Sequence, residues 1–294
     1  MRSSARTPRI ETERLGFVGA GRVGKGLSLA LARAGYTVTG VASRARGDAQ
    51  RTVDDSDITF LTVPDDAIAD VCAGLRWRAG QAAVHCAGST ELTVLRPAAE
   101  AGAAIGGFHP LVMFADAEIA ARSIAGAAIG IEASEPLVGR LRRLVRALGA
   151  RELVIPPGGR AAYHGAAHFA AGFVGALVAE GVEIWRRIGI APEDATHALF
   201  GLLRGAVDAM SHGGIGRAMA GSIARGDLHN IKRHLAALEA LEPRARELYC
   251  TLALRSIPLV LQAGRISAER AEELRALLSA GTSASGRASA RPDQ

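Results

Sequence analysis

Leu15-Gly16-Phe17-Val18-Gly19-Ala20-Gly21-Arg22-Val23-Gly24 is the stretch on which the fold assignment turns. A short apolar run leads into three glycines spaced G-x-G-x-x-G, after which Val23, Leu27, Leu31 and Ala34 recur at helical spacing. The pattern predicts a strand, a tight turn and a helix with one apolar stripe. Gly19 permits the turn, Gly21 lets the backbone approach a pyrophosphate, and Gly24 lets the helix pack close to the sheet. The helix start at Arg22 and Val23 offers N–H groups and the positive end of a dipole to phosphates.

Working outward, short apolar runs alternate with helical segments. Strands are expected at 15–18, 36–42, 58–63, 82–86, 103–108, 127–131 and 152–155, and further helices at 65–75, 91–101 and 135–148. After Pro156-Pro157-Gly158-Gly159 no convincing strand follows. Helices are expected at 161–188, 193–212, 227–240 and 243–263, with a last one after Ser267 as N-cap. The fold class is therefore α/β: a Rossmann-type dinucleotide-binding domain (14–156) followed by an all-helical domain (160–280), with a cleft between them. The ends, 1–13 and 281–294, read as disordered.

Composition narrows the function. The 294 residues carry a net charge of +6. Half of that excess sits in residues 1–14 and 281–294, and no stripe of interleaved basic and aromatic residues appears elsewhere. Nucleic acid is not an expected partner. Cys72, Cys86 and Cys250 are an odd, widely spaced set, which suits a reducing cytoplasm and no disulfide framework. The apolar stretch 165–179 is short for a bilayer, at ~20 residues per span, so no membrane association is expected.

The end of the second strand selects the cofactor. About twenty residues past the glycines, an NAD site places an acidic residue on the ribose 2′-hydroxyl. This chain has Ser43-Arg44 there, with Arg46 just beyond. Arginine suits a 2′-phosphate, so NADP is the expected cofactor. Val63-Pro64 should lie beside the pyrophosphate and ribose. Ala87-Gly88, after the fourth strand, should approach the nicotinamide.

These features, with Thr62-Val63-Pro64-Asp65, the His85 segment, Gly107-Phe108-His109-Pro110-Leu111, Tyr163-His164 and Ile223-Ala224-Arg225-Gly226-Asp227 followed by His234, carry a resemblance. Over residues 14–265 the chain resembles Rossmann-like oxidoreductases whose helical C-terminal domain is a domain of unknown function. They are relatives of ketopantoate reductase, pyrroline-5-carboxylate reductase and the 6-phosphogluconate dehydrogenase group. The resemblance implies an N-terminal NADP domain, a helical second domain that forms a homodimer, and reduction of a small carbonyl or imine substrate. The chain departs from it at Ala171-Gly172, where relatives have Ser-Asn, and at Gly221-Ser222, where they have Gly-Pro.

Reducing a carbonyl requires a proton donor near the developing alkoxide. Ketopantoate-type enzymes use a lysine early in the second domain, but here the lysines are Lys25 and Lys232 alone. The donors left are histidines. His164 begins the long helix, His168 lies one turn later on the same face, and His109 ends a strand on the cofactor edge. Arg225 could clamp a substrate carboxylate, and Asp227 should cap the next helix. No metal is expected, since neither HExxH nor a carboxylate partner accompanies the histidine pair. The expected function is NADPH-dependent reduction of a small 2-oxo acid of the ketopantoate kind. The alternatives are a C=N reductase and an NADP-binding regulator without turnover.

Overall fold

The computed structural model describes residues 13–282 apart from Arg46 and Ala115, with the side chains of residues 280–282 left out. The chain forms two compact units that divide between His168 and Phe169. The first runs β1 (Arg14–Val18), α1 (Arg22–Arg33), β2 (Thr37–Ala42), α2 (Ala49–Asp54), β3 (Ile58–Leu61), α3 (Ile68–Ala73), β4 (Ala82–His85), α4 (Arg96–Glu100), β5 (Ala104–Pro110), α5 (Ala117–Ser123), β6 (Ala128–Ala133), α6 (Leu137–Ala147), β7 (Arg151–Val154) and α7 (Arg160–Ala170), the last two residues of α7 belonging to the second unit. Single 3-10 turns at Asp65–Ala67 and Leu92–Leu95 lead into α3 and α4.

All seven expected strands are present, in one sheet ordered β2-β1-β3-β4-β5-β6-β7. β1 to β5 are parallel, β6 runs antiparallel to β5, and β7 is parallel to β6. Strand side chains alternate between faces, and the burial follows that period. Phe17, Phe60, Val84 and Phe108 join one core with Leu27 and Leu31 of α1 and Leu141 and Leu144 of α6. Their neighbours Val18, Leu61 and Ala83 face the other way, onto Ile68, Cys72, Trp77 and Leu95. Chain order reverses between β1 and β3, which creates the switch point where doubly wound sheets bind ligands.

The second unit holds α8 (Gly172–Arg187), α9 (Pro192–Gly213), α10 (Ile215–Ala218), α11 (Leu228–Leu241), α12 (Pro243–Gln262) and α13 (Ala268–Thr282). Its core joins Ile231 and Leu235 of α11 to Cys250, Ala253 and Ile257 of α12 and Ala271, Leu274 and Leu278 of α13. Asp227 caps α11 by accepting from the Asn230 N–H, and Ser267 accepts from the Arg270 N–H at the start of α13. Both caps match the sequence expectation.

Three features differ from that expectation. The helix expected over 161–188 is two helices parted at Ala171, the position where the chain departs from its relatives. The short α2, α5 and α10 were not anticipated. The turn Pro156–Gly159 lies inside the first unit and brings α7 back over the sheet. The ends expected to be disordered lie outside the described residues, apart from Glu13 and residues 281–282. Glu13 pairs with Arg140 and Arg143, and residues 281–282 complete α13.

Candidate active site

The glycine turn is built as its spacing requires. Gly19 has φ +120°, and a Cβ there would overlap the Thr62 carbonyl. Its N–H donates to the Ala42 carbonyl at 2.8 Å, which ties the turn to the end of β2. The Thr62 hydroxyl donates to the Gly19 carbonyl at 2.6 Å. At Gly24 a side chain would overlap that same carbonyl, so close helix packing explains this glycine. Gly21 differs: a Cβ there would meet nothing nearer than 4.0 Å. The protein itself does not require glycine at this position, as expected where a ligand approaches the backbone. Gly21 is also the N-cap of α1, and no side chain caps the first-turn N–H groups. These residues fit a dinucleotide pyrophosphate.

Ser43 and Arg44 follow β2 directly, next to the tied turn, and Arg44 is exposed. It forms no ion pair among the described residues. Arg46, the other basic candidate, lies outside them. Val63 and Pro64 follow β3 beside Thr62, and Ala87 and Gly88 are buried just past β4. All the candidate cofactor residues described therefore sit at the carboxyl ends of β1 to β4.

The histidines gather on the adjacent part of the same edge. Across the sheet, Leu61 pairs with His85, His85 with Gly107, and Gly107 with Glu132. Residues in one such row point to the same face. Gly107 is the bare position between His85 and Glu132, and the Arg160 guanidinium fills it. A Cβ on Gly107 would overlap Arg160 Nη2. Arg160 is fully buried, donates from Nε to Glu132 at 2.5 Å and from Nη1 to the Ala87 carbonyl at 2.9 Å, while its own N–H donates to Glu91 at 3.3 Å. Two residues along the strands, His109 pairs with Gly130. Here too the glycine leaves a slot, filled by Tyr163, whose hydroxyl lies 2.5 Å from where a Gly130 Cβ would stand. α7 thus docks through two side chains on two glycines of the sheet.

That docking sets the site. The Tyr163 hydroxyl is 2.9 Å from His109 Nδ1. The His109 and His164 rings lie edge-on with centroids 5.7 Å apart, and His168 follows, its ring 5.0 Å from that of His164. His109 Nε2 lies 3.0 Å from the position of a Gly88 Cβ, and the His164 ring would overlap that atom. Both histidines therefore converge over Gly88, the loop expected to approach the nicotinamide. Burial lowers the His109 pKa to about 4, with the nearby His164 and Arg160 adding to the shift. Burial likewise takes His85 down to about 3 and Tyr163 up to about 12. His168 is exposed, and Arg225 lies in the second unit, exposed on the turn before α11.

Arg160, Glu132 and buried His85 were missed as site residues, and Tyr163 was noted only within the family motif. A usable signal was present: glycines inside strands, at Gly107 and Gly130, mark places where something approaches the backbone closely.

Two family descriptions match the chain: a Rossmann-like domain over residues 1–110 and a domain of unknown function, DUF2520, over residues 127–256. The first part of the chain is thus Rossmann-like, as its sheet order already shows, and residues 127–256 match DUF2520. Solved structures share the architecture of the chain. Protein TM1727 from Thermotoga maritima is 20% identical with a TM-score of 0.67, covering 85% of this chain and 99% of its own. Protein BF3122 from Bacteroides fragilis, provisionally named an NADP oxidoreductase, is 21% identical with a TM-score of 0.61, covering 84% and 99%. A Plasmodium falciparum pyrroline carboxylate reductase with NADP bound is 11% identical with a TM-score of 0.56, covering 92% and 99%. At these identities the likeness is one of fold. No curated protein matches the chain closely enough to count as a relative.

Proposed function

We propose that this protein is a cytoplasmic NADPH-dependent reductase of a small carbonyl substrate, with a 2-oxo acid of the ketopantoate kind as the first candidate. One observation carries the reading: His109 and His164 converge over Gly88, on the sheet edge that also bears the glycine turn. Gly19, Gly21, Arg22, Val23, Gly24, Ser43, Arg44, Val63, Pro64, Ala87 and Gly88 would hold NADP(H), which supplies a hydride when bound. The chain's own part is to polarise the acceptor and deliver a proton. His109, held neutral by its burial, suits polarisation, and His164 suits proton donation. His168 would support His164 from the next turn.

Reduction of a C=N bond is the second reading. A neutral His109 and the lack of any lysine beyond Lys25 and Lys232 favour it, because forming an amine needs less acid assistance than forming an alcohol. The fold likeness to a pyrroline carboxylate reductase agrees with it.

The test follows NADPH oxidation with 2-oxo acids, cyclic imines and amine–ketone mixtures. Turnover of 2-oxo acids supports the first reading, and turnover of imines alone supports the second. Tight NADPH binding with no turnover makes the protein a regulator. For a keto substrate, His164→Ala should lower kcat by ~10²-fold with NADPH affinity nearly unchanged. NADPH should bind at least ~10-fold tighter than NADH, about 1.4 kcal/mol, and Arg44→Asp should reverse the order. Equal affinities in the unmodified protein would remove the case for Arg44.

A further inference from the structure

Which ring nitrogen of His109 carries the proton decides whether the ring donates or accepts over Gly88, and the geometry around Tyr163 bears on that choice. A neutral imidazole has one N–H donor and one bare acceptor nitrogen. His109 Nδ1 faces the Tyr163 hydroxyl at 2.9 Å, and Nε2 faces the space over Gly88. Tyr163 is held over Gly130, and its hydroxyl has no partner other than His109 among the described residues. If Nδ1 carried the proton, the phenolic O–H would lose, in a half-buried position, the one acceptor that the described residues offer it. If the phenol donates, both groups are satisfied and the ring proton moves to Nε2. We propose that Tyr163 is a positioning residue that fixes His109 as the Nε2–H tautomer, so that a neutral donor points over Gly88 at the substrate's oxygen or nitrogen.

This inference rests on the reductase reading for its purpose but not for its chemistry. His109 keeps its proton throughout: it stabilises charge as the charge develops, and the proton that completes reduction comes from His164. The surroundings favour the neutral ring. Arg160 and His164 of α7 face it, His85 lies beside it on β4, and the nearest carboxylate on β6, Glu132, is committed to Arg160.

The experiment reads the tautomer directly. Long-range proton–nitrogen correlation spectra of the ¹⁵N-labelled full-length protein distinguish the two forms, with His109→Gln assigning the signals. At neutral pH the unmodified protein should show a protonated Nε2 and a bare Nδ1. Tyr163→Phe keeps the ring over Gly130 and should turn that signature into a tautomer mixture. Gly130→Ala, which crowds the hydroxyl, should do the same. An Nδ1–H form in the unmodified protein, or an unchanged Nε2–H signature in both variants, overturns the proposal. With a turned-over substrate, Tyr163→Phe should lower kcat by about 10-fold while KM for NADPH stays within about 2-fold. An unchanged kcat would also overturn it. Failure of every substrate would sink the reductase reading, while the spectra still decide the tautomer.

Discussion

At the scale of single residues, His85 is the least comfortable group in the first unit. It is fully buried, and neither ring nitrogen has a hydrogen-bond partner among the described residues. Burial is the main reason its pKa falls to about 3, with Arg160 and His109 contributing. In the unfolded chain the same ring titrates near ~6.5. Between those values the unfolded state binds the extra proton, so stability rises with pH and is lost as pH falls from ~6.5 toward 3. The slope is about 1.4 kcal/mol per pH unit for such a histidine. Urea unfolding at several pH values should show this, and His85→Leu should reduce the slope in that window, leaving the share of His109, whose pKa burial also lowers, to about 4. An unchanged slope in the variant would mean that other groups set the acid sensitivity.

At the scale of elements, α7 is held by polar anchors. The Arg160–Glu132 pair is sealed between the helix and the sheet, so removing one partner strands a charge. Glu132→Leu should destabilise the protein by about 3–5 kcal/mol, whereas Arg160→Met combined with Glu132→Leu should recover most of the loss. Denaturant midpoints of the three proteins check this, and additive losses would show that the pair acts as two independent groups. The sequence reveals this element only in part. The seven strands and the glycine turn were legible because their signals are local: apolar runs, period and turn residues. α2 (Ala49–Asp54) and α5 (Ala117–Ser123) were not, because six or seven residues are too few to display a helical stripe. His109 and His164 could be picked out by residue type and by their place at element ends. Arg160 could not, because its role exists only once β5 and β6 pair antiparallel and bring Gly107 between His85 and Glu132. That register joins residues from four separate segments, and no local pattern encodes it.

At the scale of the whole molecule, the end of α7 together with α8 and α9 leaves much apolar surface uncovered. Phe169 is 72% exposed and Leu202 70%, with Phe173, Leu177, Phe200 and Val207 exposed as well. The helical stretch Arg160–Arg187 is long and apolar enough to cross a membrane by length and composition. Its first turn, however, carries the buried Arg160 ion pair on the sheet. We propose instead that a second copy covers this surface, giving a homodimer through residues 161–263. Sedimentation at micromolar concentration should show a dimer, and Phe173→Glu with Leu202→Glu should yield a monomer. A monomeric unmodified protein, or one that partitions into lipid vesicles, would overturn this. The docking of α7 also governs how the chain can be dissected. A truncation at the Pro156–Gly159 turn, the obvious place to cut by composition, would leave Glu132 without its cation and open two bare slots in the sheet at Gly107 and Gly130. A nucleotide-binding fragment intended to stand alone should therefore keep the helix through His168, although all of that helix lies past the turn that looks like a border.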